Sequence, residues 1–185
     1  ASVIPTPETY SPMVPISIYA ASKLACEAMI SAYAATYGWH AWVYRFANII
    51  GARSTHGVIY DFVQKLRANP KELEILGDGT QAKSYLSVGE CVNAVVFAPT
   101  ISHDTFNFFN IGSEDWVTVK RIAELVVEEM GLSGVSFKFT GGDRGWVGDV
   151  PKMQLSVDKL KSFGWNPMSS SEDAVRAAIR ATLEE

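Results

Sequence analysis

The sequence predicts an α/β fold, and three observations carry that prediction. Runs of β-branched and aromatic residues alternate along the chain with segments of helical periodicity. Glycine, proline, asparagine and aspartate collect between those runs, where the chain must turn. No internal repeat interrupts the alternation.

The elements follow in order. ASVIPTPETYSPMVP reads as a proline-rich loop. From Ser17 the pattern turns helical: YAASKLACEAMISAYAATYG is rich in alanine and other strong helix formers, and Gly38 is placed to stop it. HAWVYRFANII then has the content of a buried strand ending near Ala47. GARSTHG is a loop. In GVIYDFVQKLRAN, the spacing of Ile59, Phe62, Val63 and Leu66 makes one face of a short helix. LEIL predicts a short strand, Gly77-Asp78-Gly79 a turn, and Ser84 to Leu86 another strand. Gly89 to Ala98 reads as a helix and Thr105 to Ile111 as a strand ended by Gly112. VTVKRIAELVVEEMG is amphipathic, with Val119, Ile122, Leu125 and Val126 on its inner face. VSFKFT predicts a strand. SVDKLKSFG and SSEDAVRAAIRATLEE predict closing helices, the second capped by Ser170 or Ser171.

Composition removes several classes. Apolar residues make up 48% and charged residues 19%, which rules against disorder. A net charge of -4 without a basic stripe gives no electrostatic reason to expect nucleic acid. Cys26 and Cys91 lie far apart without metal-ligand spacing, so a disulfide framework is not indicated and a reducing cytoplasm fits. His40, His56 and His103 are equally scattered, so no metal site is expected. No apolar run approaches the roughly 20 residues that cross a bilayer. The amino-terminal stretch lacks the basic start and apolar core of a signal peptide. A chain of 185 residues suffices for one domain or for parts of two.

The sharpest chemical constellation is Tyr19-Ala-Ala-Ser-Lys23. Residues four apart share a helix face, so a phenol and an ammonium group can act on one region of a ligand. A neighbouring cation favours phenolate over phenol, which suits Tyr19 to exchanging a proton with a ligand hydroxyl. On five residues alone, an aromatic and a surface lysine sharing a face is the commoner explanation.

Context shifts that weighting. The pair sits between a proline-rich loop and YRFANIIGAR, and LGDGTQAKSYLSV, FNIGSEDWVTVKRIAELV and GDVPKMQLSVDKLKSFGWNP follow in order. Taken together the chain resembles the extended short-chain dehydrogenase/reductases of the NAD-dependent epimerase/dehydratase family. Their active site is a Tyr-x-x-x-Lys helix followed by a strand with an Arg-x-x-Asn-x-x-Gly pattern, here Arg45, Asn48 and Gly51. The stretch GGDRGWVGDVP looks most like that of UDP-glucose 4-epimerase-like members.

The resemblance implies a role for each matching position. Tyr19 would be the catalytic acid/base, with Lys23 holding the nicotinamide ribose and Phe46 also beside the cofactor, NAD. Asn48 would contact the diphosphate of a UDP-hexose, although a turn residue at a strand end is also common. Arg144 is a candidate second clamp, because a guanidinium fork suits phosphate oxygens; an exposed loop arginine is the even alternative. Gln81 and Lys83 fall where the family's Gly-Asp-Gly-x-Gln-x-Arg-Asp segment approaches the nucleotide. Here the usual Arg-Asp is Lys83-Ser84, and the usual acidic pair after Val88 is Gly89-Glu90. A lysine keeps the charge and loses the bidentate geometry.

Gly142-Asp-Arg-Gly145-Trp-Val-Gly148 mimics a dinucleotide-binding loop. Such a loop must open a helix, and DVPKMQLS lacks helical periodicity, so the match is read as accidental. The glycine-rich unit that binds the dinucleotide and the family's catalytic Ser/Thr are therefore not found in this sequence. The implied architecture is an incomplete Rossmann-like doubly wound sheet, its first βαβ units missing, plus a small α/β substrate-binding lobe. Residues 1–50 and 86–112 would belong to the dinucleotide-binding domain, and 51–85 and 113–185 to the lobe. The Ala-rich face of helix 17–37 would permit a homodimer. The parent enzyme would interconvert UDP-glucose and UDP-galactose through a 4-keto sugar, while this stretch alone is expected to be inactive. A dehydratase or reductase of the same family, or a non-catalytic sugar-nucleotide-binding or dimerising module, are the alternatives.

Overall fold

Ser17 starts the first helix by accepting a hydrogen bond from the Ala20 amide at 3.1 Å, and Gly38 ends it in the left-handed region at φ 68°. Between them runs α1 (Ile18–Tyr37). The computed structural model describes residues 1–145 and 150–185. Next come β1 (Ala41–Phe46) and β2 (Asn48–Ile50), divided at the buried Ala47. The chain continues through α2 (Val58–Ala68), β3 (Glu72–Ile75), β4 (Ala82–Lys83), β5 (Tyr85–Ser87) and α3 (Val88–Ile101). It closes with β6 (Phe106–Ile111), β7 (Val117–Thr118), α4 (Val119–Glu129), β8 (Ser136–Phe139), β9 (Lys152–Met153), α5 (Asp158–Ser162) and α6 (Ser171–Glu184).

The α/β class stands, and its pairings are mostly parallel. β1 runs parallel to β6, with Ala41 opposite Phe106 and Phe46 opposite Ile111. β2 runs parallel to β5 and β3 to β8, while β4 pairs antiparallel with β7 and parallel with β9. Parallel neighbours need long crossovers, which the intervening helices supply.

Among the described residues two hydrophobic clusters form. In the first, α2, α4 and α6 close over β3, burying Phe62, Leu66, Leu73, Ile122, Leu125 and Ile179. The α2 face expected from periodicity is buried in full. Of the α4 face, Ile122, Leu125 and Val126 are buried and Val119 packs at the edge. In the second cluster Leu86, Cys91, Phe109 and Ile111 meet Leu160 of the α5 segment and Trp165.

Three expectations change. The strand read as buried is only half-buried along Ala41–Arg45, and Phe46 is 49% exposed. A parallel strand is hidden only when both faces and both edges are covered; among the described residues β1 has one ladder partner, β6. Val117 and Thr118, read as helix, form β7. Thr118 instead caps α4 by accepting from the Arg121 amide at 3.1 Å. α3 starts at Val88 and runs on to Ile101, with Ser87 as its cap.

Ser170 caps α6 in a reciprocal capping box with Asp173. α6 is also laced to α4 by ion pairs: Arg121 joins Glu124, Glu128 and Glu172, Arg176 joins Glu128, Glu129 and Glu172, and Arg180 joins Glu129. No helix among the described residues is long and apolar enough to cross a membrane. The glycine spacing at 142–148 lies partly outside the described residues, and Pro151 leads into β9.

Candidate functional site

β2, β4 and β5 end beside a cavity of about 680 Å³. Asn48 and Ile50 line it from β2, Gln81 and Lys83 from the segment at β4, and Tyr85 from β5. The first turn of α2 adds Val58 and Ile59, and α6 adds Ala178 and Thr182. In parallel α/β sheets, ligands bind off the carboxyl ends of the strands.

Asn48 is held in place from β5's side. Its backbone amide and its Nδ2 both donate to the Ser84 carbonyl, each at 3.1 Å. Gln81 is 2% exposed. Its Nε2 donates to the Leu76 carbonyl at 3.4 Å, and its buried Oε1 has no hydrogen-bond partner among the described residues. Gly77 makes room for that carboxamide. It sits at φ 81°, and a Cβ there would collide with Gln81 Nε2. Lys83 is half-buried and faces Val117 and Met153 in the sheet register.

Arg144 falls outside this group. It sits in an exposed loop with Nε 4.0 Å from the Asp143 carboxylate, and only its neighbour Gly145 lines the cavity. The fold therefore gathers Asn48, Gln81 and Lys83 and leaves Arg144 at the periphery. His56, Ser54 and Asp61 also line the cavity without having been singled out. Their position around the start of α2 was the available signal. Ala178 and Thr182 had none, because nothing local to α6 says which segment its face will meet.

Tyr19 and Lys23 form a separate pair on α1. Lys23 Nζ lies 5.4 Å from the centre of the Tyr19 ring, and Tyr19 is 72% exposed. Among the described residues neither polar tip makes a hydrogen bond or ion pair. Phe46 stands at the exposed end of β1, its ring stacked on Tyr44 at 6.3 Å. None of the three lines the cavity. What joins the helix to the strand is Arg45. Its Nε and Nη2 donate to the two carboxylate oxygens of Glu27 at 3.0 and 2.6 Å, and Nη1 donates to the Glu8 carbonyl at 3.1 Å. The Glu27 hydrogen bonds raise the Arg45 pKa further, against the opposing effect of burial. Glu8 in turn accepts from the Asn110 amide at 2.9 Å. This fork, read from sequence only as part of a motif, fixes the Tyr19 helix to the strand that leads into Asn48.

A second carboxylate ties distant segments together. Glu90 accepts from the Met168 amide at 2.6 Å, the Ser169 amide at 3.1 Å, the Ser169 hydroxyl and the Ser87 hydroxyl at 2.8 Å. Burial raises its pKa, but the bonds from Ser169, Met168 and Ser87 outweigh that and hold the carboxyl below its ordinary range.

The cavity and the Tyr19–Lys23 pair lie within one α/β fold, and sequence comparison assigns its family. The sequence model of the NAD dependent epimerase/dehydratase family matches residues 2–112, and this chain belongs to that family. A crystal structure of UDP-galactose 4-epimerase is 40% identical and superposes with a TM-score of 0.88, covering 100% of this chain and 59% of that one. UDP-glucose 4-epimerase from Thermotoga maritima, solved with UDP-glucose, is 30% identical with a TM-score of 0.84, covering 98% of this chain and 58% of that one. A Methanocaldococcus jannaschii protein provisionally named UDP-glucose 4-epimerase is 27% identical over 180 residues, 95% of this chain and 56% of its own length. The chain thus spans a little over half the length of these relatives.

Proposed function

We propose that this chain is a portion of a nucleotide-sugar epimerase that interconverts UDP-glucose and UDP-galactose, and that it carries the substrate-binding lobe. The observation that carries the reading is the convergence of Asn48, Gln81 and Lys83 on one cavity beside the strand ends. Lys83 supplies a cation for a diphosphate, Asn48 a carboxamide, and the apolar wall of Ile50, Val58 and Leu76 suits a nucleobase or sugar face. Similarity to proteins named for UDP-glucose and UDP-galactose supports that substrate choice within the family.

Tyr19 and Lys23 fit the nicotinamide end of NAD. They offer an unengaged phenol and an ammonium on one helix face, tied by Arg45 to the strand that enters the cavity. When bound, the cofactor supplies hydride exchange. Tyr19 takes the proton of the sugar C4 hydroxyl as that carbon becomes a ketone, and returns it when the ketone is reduced from its other face. Lys23, on the same helix face, holds ribose hydroxyls. Asn48 and Lys83 grip the diphosphate while the sugar turns.

In this reading residues 1–50 and 86–112 form part of the dinucleotide-binding domain, and 51–85 and 113–185 the substrate lobe. Catalysis then requires a glycine-rich half in addition to these residues. α1 buries only Ala34 of its 20 residues, which supports a homodimer formed through it.

Titration calorimetry with UDP-glucose and UDP-galactose tests the assignment. The chain should bind either saturably, and an Asn48→Ala, Lys83→Ala double variant should bind at least about tenfold more weakly. A chain folded by circular dichroism that binds neither sugar nucleotide would sink the reading.

A further inference from the structure

Three serines from distant parts of the sequence meet beside Asn48. Ser84, between β4 and β5, Ser113, after β6, and Ser171, at the start of α6, are 0%, 1% and 0% exposed. Their hydroxyls form a chain: Ser84 Oγ lies 2.9 Å from Ser113 Oγ, which lies 2.6 Å from Ser171 Oγ. The surrounding backbone is drawn into it. The Ser113 amide donates to Ser84 Oγ at 3.2 Å, and the Tyr85 amide donates to Ser171 Oγ at 3.0 Å. The carbonyls of Ser113, Tyr85 and Asp115 lie 3.1 to 3.3 Å from hydroxyls that can donate to them. The Ser171 amide is taken by Asp115 Oδ1 at 2.8 Å.

Buried hydroxyls are costly unless satisfied, and these satisfy one another. Capping α6 does not require them, because Ser170 does that. Gly112 permits the approach: a Cβ there would lie 2.9 Å from Ala47 Cβ and 3.6 Å from Ser84 Oγ. What the chain of hydroxyls immobilises is the peptide of Ser84, and that peptide's carbonyl accepts both N–H groups of Asn48. The Asn48 Oδ1 and its second amide hydrogen make no other hydrogen bond among the described residues, and Asn48 lines the cavity.

We propose that Ser84, Ser113 and Ser171 are positioning residues: they fix the Ser84 carbonyl and thereby the carboxamide that Asn48 presents to ligand. The effect on affinity rests on the nucleotide-sugar reading of the cavity; the effect on Asn48 itself does not. Serine at position 84 has a use here that an apolar residue would not serve, because its side chain is spent entirely within this cluster. The same bonds tie α6, which supplies Ala178 and Thr182 to the cavity wall, to the strands that supply Asn48 and Tyr85.

The test uses three measurements on the whole chain: solvent exchange of the Asn48 side-chain amide by NMR, identified by its loss in Asn48→Ala; UDP-glucose titration; and thermal unfolding. Ser84→Ala and Ser113→Ala should each speed that exchange and weaken UDP-glucose binding, both by about fivefold, the worth of one hydrogen bond. Ser171→Ala, which leaves the Ser84–Ser113 link intact, should do the same to a smaller degree and serves if the stronger variants do not fold. Ser84→Thr, which keeps the hydroxyl, should restore slow exchange. Arg176→Ala, at the α4–α6 ion pairs, should lower the melting temperature and leave Asn48 exchange unchanged. If the serine variants melt earlier while Asn48 exchange stays at the wild-type rate, the cluster is structural only and the proposal falls. If exchange accelerates as expected but the wild-type chain does not bind UDP-glucose, the positioning stands and the nucleotide-sugar reading fails instead.

Discussion

The α2–α4–α6 cluster closes its core, whereas α1 on the β1–β6 pair, although the more apolar sequence, does not. α2 buries Ile59, Phe62, Val63 and Leu66, and α4 and α6 cover the rest of that face. α1, nearly twice as long, buries Ala34 alone and leaves Met29, Tyr33 and Tyr37 at 58%, 47% and 60% exposure. The difference teaches that apolar content reports what a segment can bury, and amphipathic contrast reports what it does bury within its own chain. α2 alternates core and charge around its axis; the stretch from Ala28 to Tyr44 carries no Asp, Glu, Lys or Arg at all.

Core truncation should break the comparison most sharply. Phe62→Ala removes a 2%-exposed ring from the first cluster and should cost about 3–5 kcal/mol by denaturant unfolding. Ile30→Ala, on the 40%-exposed face of α1, should stay within about 0.5 kcal/mol. Equal losses would mean that α1 is packed in solution, against a second copy or otherwise.

Glu90 should rank next. Glu90→Ala strips the Met168 and Ser169 amides of their acceptor and should cost roughly 2 kcal/mol, read from the denaturation midpoint at constant slope. A Glu90→Gln variant should recover part of that loss, since its carbonyl can still accept.

Acid should then separate the two regions. Hydrogen bonds from Arg180 and then Arg176 hold Glu129 at about 2, below its ordinary 4.5. Arg121 holds Glu172 down and Arg176 holds Glu128 down. A carboxylate with a depressed folded pKa stabilises the protein above its unfolded value and loses that contribution as pH falls through the folded one. Stability should therefore decline from about pH 4.5 toward 2, with α6 loosening from α4. Arg176→Ala should make that decline shallower in a pH series of unfolding curves. An unchanged slope would show that the ion pairs are too solvated to matter.

The smallest effect belongs to a helix end. Ser17→Ala removes the cap of α1 and should cost about 1 kcal/mol, seen as fraying near Tyr19 in hydrogen exchange. Because Tyr19 lies in that first turn, the same variant should disturb its pairing with Lys23 more than any site in the cavity.

Much of the candidate site was legible beforehand, and for identifiable reasons. Tyr19 and Lys23 share a face because helix geometry makes residues four apart neighbours, and the structure keeps them so. Asn48, Gln81 and Lys83 were placed by motif, and they converge. Arg144 was left even between a clamp and a loop arginine, because whether a loop arginine reaches a cavity depends on the loop's path; here it lies in an exposed loop beside the cavity-lining Gly145. The half-exposure of β1 was invisible too, since an aromatic, β-branched run has one composition whether or not a strand lies beside it.

By itself the sequence determined the α/β class, the stop of α1 at Gly38, a serine cap at 170 or 171 for α6, and the inward faces of α2 and α4. Those features repeat within a turn or two, so local periodicity encodes them. Only the tertiary structure decided that Ser84 would meet Ser113 across 29 residues and Ser171 lie 58 further on, or that α6 would wall the cavity. Such meetings depend on how crossovers stack one strand beside another, and a hydroxyl carries no periodic signal of the partner it will find.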